Sequence, residues 1–147
     1  MNTDLMFSSA SDEWETPLAL FAELDNEFRF NLDVCASPTN HKCAAYFSKW
    51  DNGLAQDWGS RVCWMNPPYG RQIVGWMLKA FDASLGGATV VCLVPARTDT
   101  AWWHDYAIRG EVRFLRGRLR FVGAKASAPF PSAIVVFRPS NGGNRLR

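Results

Sequence analysis

Apolar and polar positions follow two periods along this chain, and the switches between them divide it into elements. In EWETPLALFAELDNEF, Leu20, Phe21, Leu24 and Phe28 recur at helical spacing and share one face. Thr16 is expected as the N-cap of that helix and Pro17 at its first position, where the missing N–H has no partner to lose. RFNLDVC then sets Phe30, Leu32 and Val34 against Arg29, Asn31 and Asp33, the two-residue period of a strand. ASPTNHKC reads as a loop, AYFSKW as a short strand and DNGLAQDWGS as a turn-rich connection. RVCWM is a continuous apolar run, as in a strand buried on both faces. RQIVGWMLKAFDASL returns to the helical period, with Ile73, Met77, Ala80, Phe81 and Leu85 on one face and Gly86-Gly87 as its stop. ATVVCLVP is a β-branched strand ended by Pro95, and TAWWHDYAI a short helix halted by Gly110. EVRFL, RLRFV and SAIVVF predict three more strands, the first two as a hairpin about Arg116-Gly117.

Helices and strands alternate first and strands cluster at the end. That order predicts an α/β protein with a compact three-layer sandwich, whose mostly parallel sheet closes with an antiparallel end strand. One domain is expected over residues 12–138, with residues 1–11 as a flexible lead-in and 139–147 as a flexible basic tail. The 147 residues are enough for one domain with a real core and too few for two ordinary ones.

The chain has neither an apolar run of membrane-spanning length nor a signal-peptide pattern at Met1-Asn2-Thr3-Asp4, so a cytoplasmic protein is expected. Cys35, Cys43, Cys63 and Cys92 form no CxxC pair, and the spacing of Cys35, His41 and Cys43 matches no standard zinc pattern; no metal is expected. A net charge of +2 says little, but its distribution says more. Arg109, Arg113, Arg116, Arg118, Arg120 and Lys125 cluster in one stretch, which fits phosphate contacts and equally a solvated hairpin.

The stretch VCWMNPPYG raises the question of chemistry. Proline cannot donate to a sheet ladder, so the strand stops at Met65 or Asn66 and a stiff loop begins at its carboxyl end. In open α/β sheets ligands bind there. An ordinary Pro-Gly turn is the plain alternative.

Six segments, DEWETPLALF, LDVCASPTN, DNGLAQDW, WMNPPYG, LVPARTDTAWWHDY and FLRGRLRF, together resemble the compact phage-type DNA N6-adenine methyltransferases, over residues 14–137. That resemblance implies a Rossmann-like fold, S-adenosyl-L-methionine as methyl donor and double-stranded DNA as partner. Asn66, Pro67, Pro68 and Tyr69 become the catalytic loop. The adenine amine is a poor nucleophile because its lone pair is delocalised into the ring. The Asn66 side-chain oxygen and the Pro67 carbonyl can accept its two N–H groups, while Tyr69 stacks on the base once it leaves the duplex.

Cofactor contacts are implied for Thr16 and Pro17 at the helix start, for Asp33, Cys35 and Ala36 after the first strand, for Asp51 at the ribose, for Asp57 and Trp58 at the adenine, and for Asn66. Asp57-Trp58 reads equally as a turn aspartate beside a core tryptophan, and the turn Cys35-Ala36-Ser37-Pro38 departs from the family's glycine-rich FxGxG loop. DNA contacts are implied for Arg97, Trp102, Arg116, Arg118 and Arg120. Seven tryptophans exceed what a core this size needs, so at least one is expected to be exposed for stacking. Cytosine N4 or protein glutamine as the methyl acceptor, or a non-catalytic DNA-binding relic, are the rival readings. Sequence specificity is expected from loops 95–105 and 123–131 or from a dimer; a monomer and a homodimer both fit.

Overall fold

The computed structural model describes residues 14–140. Their order is α1 (Leu18–Phe28), β1 (Leu32–Asp33), a 3-10 turn (Gly53–Ala55), β2 (Val62–Met65), α2 (Ile73–Leu85), β3 (Thr89–Pro95), α3 (Ala101–Asp105), a second 3-10 turn (Ala107–Arg109), β4 (Glu111–Phe114) and β5 (Ser132–Phe137). The lead-in expected at residues 1–11, and residues 141–147 of the expected basic tail, lie outside the described residues.

The strands form one mixed sheet of order β1-β2-β3-β5-β4. β1, β2 and β3 are parallel, while β5 lies antiparallel between β3 and β4. The antiparallel strand is therefore inside the sheet and not at its end, as had been expected. SAIVVF is buried at every position, so it needs a neighbour on each side. EVRF carries Glu111 and Arg113 and takes the edge, where charge disfavours further strand pairing.

Directly paired residues share a face of the sheet. Asp33, Trp64, Val91 and Val136 form one such row, and Leu32, Cys63, Val90 and Phe137 another on the opposite face. α1 covers the first face: Phe21 meets the Trp64 ring edge-on at 5.4 Å, and Glu27 pairs with Arg113 at 2.7 Å. α2 covers the second, with Phe81 against Phe137 at 6.0 Å. The sheet thus carries a helix on each face. Among the described residues no helix is long and apolar enough to cross a membrane.

Several local expectations change. α1 starts at Leu18, with Pro17 in the cap position and no side-chain cap, so Thr16 is not its N-cap. In α2, Ile73, Met77 and Ala80 are buried as expected, but Trp76 and Ser84 complete the face and Leu85 is exposed. Leu85 lies one residue, about 100°, round from Ser84 on the helix. AYFSKW contributes only an isolated bridge between Tyr46 and Asp33. RLRFV is no strand: β4 pairs with β5, and residues 115–131 form a long connection with left-handed bends at Gly117 (φ 74°) and Gly123 (φ 81°). Its apolar alternation serves local packing, with Phe121 buried against Trp14 and Phe130.

Candidate active site at the carboxyl edge of the sheet

The parallel strands bring three loops to one edge. Asp33 ends β1, Asn66 follows β2, and Arg97 follows β3. β5 begins at that same edge, since Ser132 pairs with Pro95, so the 115–131 connection also arrives there.

A cavity of about 720 Å³ opens between the loops after β1 and β2 and the segment before α1, lined among others by Thr16, Asp33, Cys35, Ala36, Asn66 and Pro68. That lies within the range of roughly 300–1,000 Å³ usual for small-molecule sites. Trp14, Asn40, Lys42, Phe47, Leu54, Gln72 and Trp76, which had not been singled out, line it too. They come from loops whose closeness only the fold creates. Gly53 lets its wall approach β1 closely, for a Cβ there would meet the Val34 carbonyl oxygen at 2.3 Å.

Asp33 is the cavity's buried charge site, at 2% exposure. Burial raises its carboxyl to about 6, against hydrogen bonds from the backbone N–H groups of Lys42 (2.9 Å) and Cys35 (3.3 Å) that favour the ionised form. Lys42 reaches across to Glu15, Nζ to Oε2 at 3.0 Å.

The Asn66 amide is held from both ends. Its Nδ2 donates to Thr16 Oγ1 at 3.0 Å and to the Trp14 carbonyl. Its Oδ1 lies 3.2 Å from the Tyr69 hydroxyl, which is also 3.2 Å from the buried Leu93 carbonyl. Pro67 is buried and Pro68 half-buried; Gly70 (φ 100°) turns the chain towards α2. Tyr69 was expected to offer its ring to a base, yet it is only 4% exposed, with Phe130 at 5.6 Å and Phe121 at 6.4 Å. Stacking on a base therefore requires those two rings to move. Burial raises the Tyr69 phenol well above its usual range, so it stays neutral and able to donate.

Other expected cofactor residues lie elsewhere. Asp51 accepts from the backbone N–H of Ser48 (2.7 Å) and its hydroxyl (3.0 Å), as a turn aspartate. Asp57 accepts from Gly59 N–H at 2.8 Å, and with Trp58 it borders a separate, smaller pocket beside Lys79 and Asp82. Trp58 is buried, its indole donating to the Gly53 carbonyl at 2.9 Å. Neither Pro17 nor any of these three borders the main cavity.

Arg97, Arg116, Arg118 and Arg120, for which DNA contacts were expected, are exposed. Arg97 lies over the Phe130 ring at 5.8 Å. Trp102 is buried against Trp103 and is not available for stacking. The exposed tryptophan is Trp50, at 89%, beside the cavity-lining Lys49. Composition implied such a residue; nothing in its local sequence marked which one. The described residues hold no group of three metal-ligating side chains, and Cys43, Cys63 and Cys92 are buried thiols.

A half-buried amide and a buried carboxylate at adjoining strand ends face one cavity, at the edge where open α/β sheets bind ligands. The family model for DNA N-6-adenine-methyltransferase (Dam) matches residues 5–141. The DNA N-6-adenine-methyltransferase of Haemophilus phage HP1 is 32% identical over 142 residues, covering 89% of this chain and 81% of the relative. YfdM of Escherichia coli strain K12, which bears a methyltransferase name, is 40% identical over 65 residues, covering 40% of this chain and 71% of the relative. The chain belongs to the DNA N-6-adenine-methyltransferase family, whose members are adenine-specific DNA methyltransferases.

Proposed function

We infer that the protein transfers a methyl group from S-adenosyl-L-methionine to the N6 amine of an adenine drawn out of double-stranded DNA. The observation that carries this reading is Asn66, an amide held from both ends at the mouth of β2, facing the cavity that Asp33 shares. The domain over residues 12–138 is proposed with a Rossmann-like, three-layer form, consistent with a helix on each face of the mixed sheet.

The cavity residues fit the donor's chemistry. Its methionine end carries an ammonium and a carboxylate. Asp33 offers a buried carboxylate to the first, and the Thr16 hydroxyl and the backbone at Cys35 and Ala36 border the space for the second. When bound, the donor supplies a methyl activated by a sulfonium, so no strong base is needed and positioning supplies much of the rate. Asn66 Oδ1 accepts one N–H of the target amine and the Pro67 carbonyl the other, which concentrates the nitrogen lone pair away from the ring. Tyr69 braces Asn66 through its hydroxyl, and its ring meets the base once Phe121 and Phe130 have moved.

Arg97, Arg116, Arg118 and Arg120 are assigned to phosphates. Trp50 takes the stacking role first given to Trp102, since exposure and a turn stapled by Asp51 present its ring to solvent. Action in the cytoplasm, where DNA and methyl donor meet, follows from this reading.

The test is single-turnover methylation of duplex DNA, with the modified nucleoside identified by mass spectrometry after digestion. N6-methyladenine is expected from the wild type. Asn66→Ala should abolish nearly all transfer and leave donor binding largely intact, because its loss acts on the transition state. Methylated cytosine or protein glutamine in place of adenine would overturn the substrate. More than about a tenth of wild-type rate in Asn66→Ala would overturn the role of the amide, since that residual rate leaves less than about 1.4 kcal/mol to it.

A further inference from the structure

We propose that Thr16 is a positioning residue that, beside the acceptor-only Trp14 carbonyl, holds the oxygen end of the Asn66 amide in place towards the target amine. The inference rests on the methyl-transfer reading above. An asparagine amide has two ends of nearly the same shape and opposite sense: oxygen accepts and nitrogen donates. Only the oxygen end can receive an N–H of the amine. Rotated by half a turn, the side chain would set N–H against N–H and draw no electron density towards the transferring nitrogen.

The structure resolves this ambiguity with groups outside the catalytic loop. Both acceptors for Asn66 Nδ2, Thr16 Oγ1 at 3.0 Å and the Trp14 carbonyl, belong to the segment preceding α1. With the nitrogen end so engaged, Oδ1 is turned towards the Tyr69 hydroxyl, whose one proton is shared between it and the Leu93 carbonyl. The segment is itself anchored at two points. The Glu15 side chain pairs with Lys42 at 3.0 Å, and the Glu15 carbonyl accepts from Val122 N–H at 3.0 Å. Thr16 is 1% exposed, so bulk water does not readily replace its oxygen. Trp14 contributes a backbone oxygen that side-chain substitution does not remove. The Trp14 carbonyl can only accept and so sets the sense of the amide, and Thr16 is the side chain through which its placement is open to mutation. This role differs from contact with the donor's carboxylate, which would act on donor affinity and not on the fate of the amine.

The experiment compares wild type, Thr16→Val and Thr16→Ser by single-turnover methylation at saturating donor, with donor affinity measured separately by calorimetry. Valine keeps the shape and removes the acceptor; serine keeps the acceptor and removes the methyl. The expected result is a loss of about 10- to 100-fold in rate for Thr16→Val that added donor does not restore, the scale on which small misplacements near a reacting centre act. Thr16→Ser should stay within about threefold of wild type, since the acceptor that orients the amide is retained. Full recovery of Thr16→Val at saturating donor would make Thr16 a donor-binding residue only and overturn the proposal. Equal damage by Ser and Val would overturn it too, because the methyl group and not the oxygen would then matter.

A second readout needs no variant at position 16. In the apo wild type, the side-chain amide protons of Asn66, assigned by their disappearance in Asn66→Ala, should exchange slowly with solvent because both are hydrogen-bonded. Fast exchange would overturn the proposal even if Thr16→Val failed to fold. A wild type that methylates no adenine would instead remove the underlying reading, while slow exchange of the amide would still be observable.

Discussion

With the donor's ammonium beside Asp33, as proposed, proton release should become part of donor binding. The buried Asp33 carboxyl titrates at about 6, against an ordinary value of 3.8. Between those two values the folded apo protein therefore holds a proton that the unfolded chain would already have released. The sign follows from the raised value. The contribution of Asp33 to stability is fully present below the unfolded value and is lost as pH rises through about 6. At about 1.4 kcal/mol per unit, a shift of about two units amounts to about 3 kcal/mol of apo stability surrendered by pH 7.

An ammonium placed beside Asp33 reverses the preference, because it needs the carboxylate ionised. Binding then expels the proton. With the carboxyl at about 6, donor affinity at pH 5 should be roughly tenfold below its value at pH 7.5, and binding at pH 6 should release about half a proton. Calorimetry in two buffers of different ionisation enthalpy measures both. Asp33→Asn should bind the donor more weakly at pH 7.5, lose most of the pH dependence and gain apo stability relative to wild type as pH rises from 4 to 7. Lys42 and His41 are the charged groups beside Asp33, and any contribution of theirs survives in that variant. Equal wild-type affinity at pH 5 and 7.5, with no proton released at pH 6, would refute the reasoning.

Two further predictions concern aromatic residues. If Tyr69 served only through its ring face, Tyr69→Phe would be harmless. With the hydroxyl's one proton shared between Asn66 Oδ1 and the buried Leu93 carbonyl, the variant should lose about 1–3 kcal/mol of unfolding free energy in denaturant titration and transfer methyl groups more slowly, and unchanged values in both would discard the bracing role. Trp50→Ala should weaken DNA binding by about 1–3 kcal/mol at one fixed salt concentration, and DNA should quench the exposed component of tryptophan fluorescence in the wild type; an unaltered affinity would leave Trp50 without a DNA role.

Some of this was legible in the residues and some was not, for physical reasons. ATVVCLVP and SAIVVF announce buried strands, because a run apolar at every position needs cover on both faces. Neither run says which neighbour it takes or in which direction, and the antiparallel insertion of β5 beside β3 was missed on that account. RLRFV alternates like a strand, but two left-handed glycines bend its surroundings and its apolar residues pack locally. The loop after β2 and the acid after β1 were recognisable because chain direction alone brings parallel strand ends to one edge. Asp51 and Asp57 lie outside the main cavity, which their sequence could not show because an aspartate in a turn looks the same whether it binds a ligand or its own backbone. The burial of Tyr69 depends on Phe121 and Phe130, far along the chain, and no local pattern encodes it.

The position of β5 also shapes how the chain is made. β3 is apolar throughout, and until its far partner emerges from the ribosome it has β2 on one side and an open ladder on the other. Val90 waits for Phe137, and β4 waits as well, since its pairing is with β5. Pairings so remote in sequence form slowly, and an exposed apolar edge recruits strands from other chains meanwhile. A nascent chain stopped near residue 130 would hold Asp33, Asn66 and Tyr69 and still lack the strand that closes the sheet. Such a fragment is an aggregation hazard and not a weaker enzyme, because the sheet is sealed from its interior and by the last of the described strands to be made.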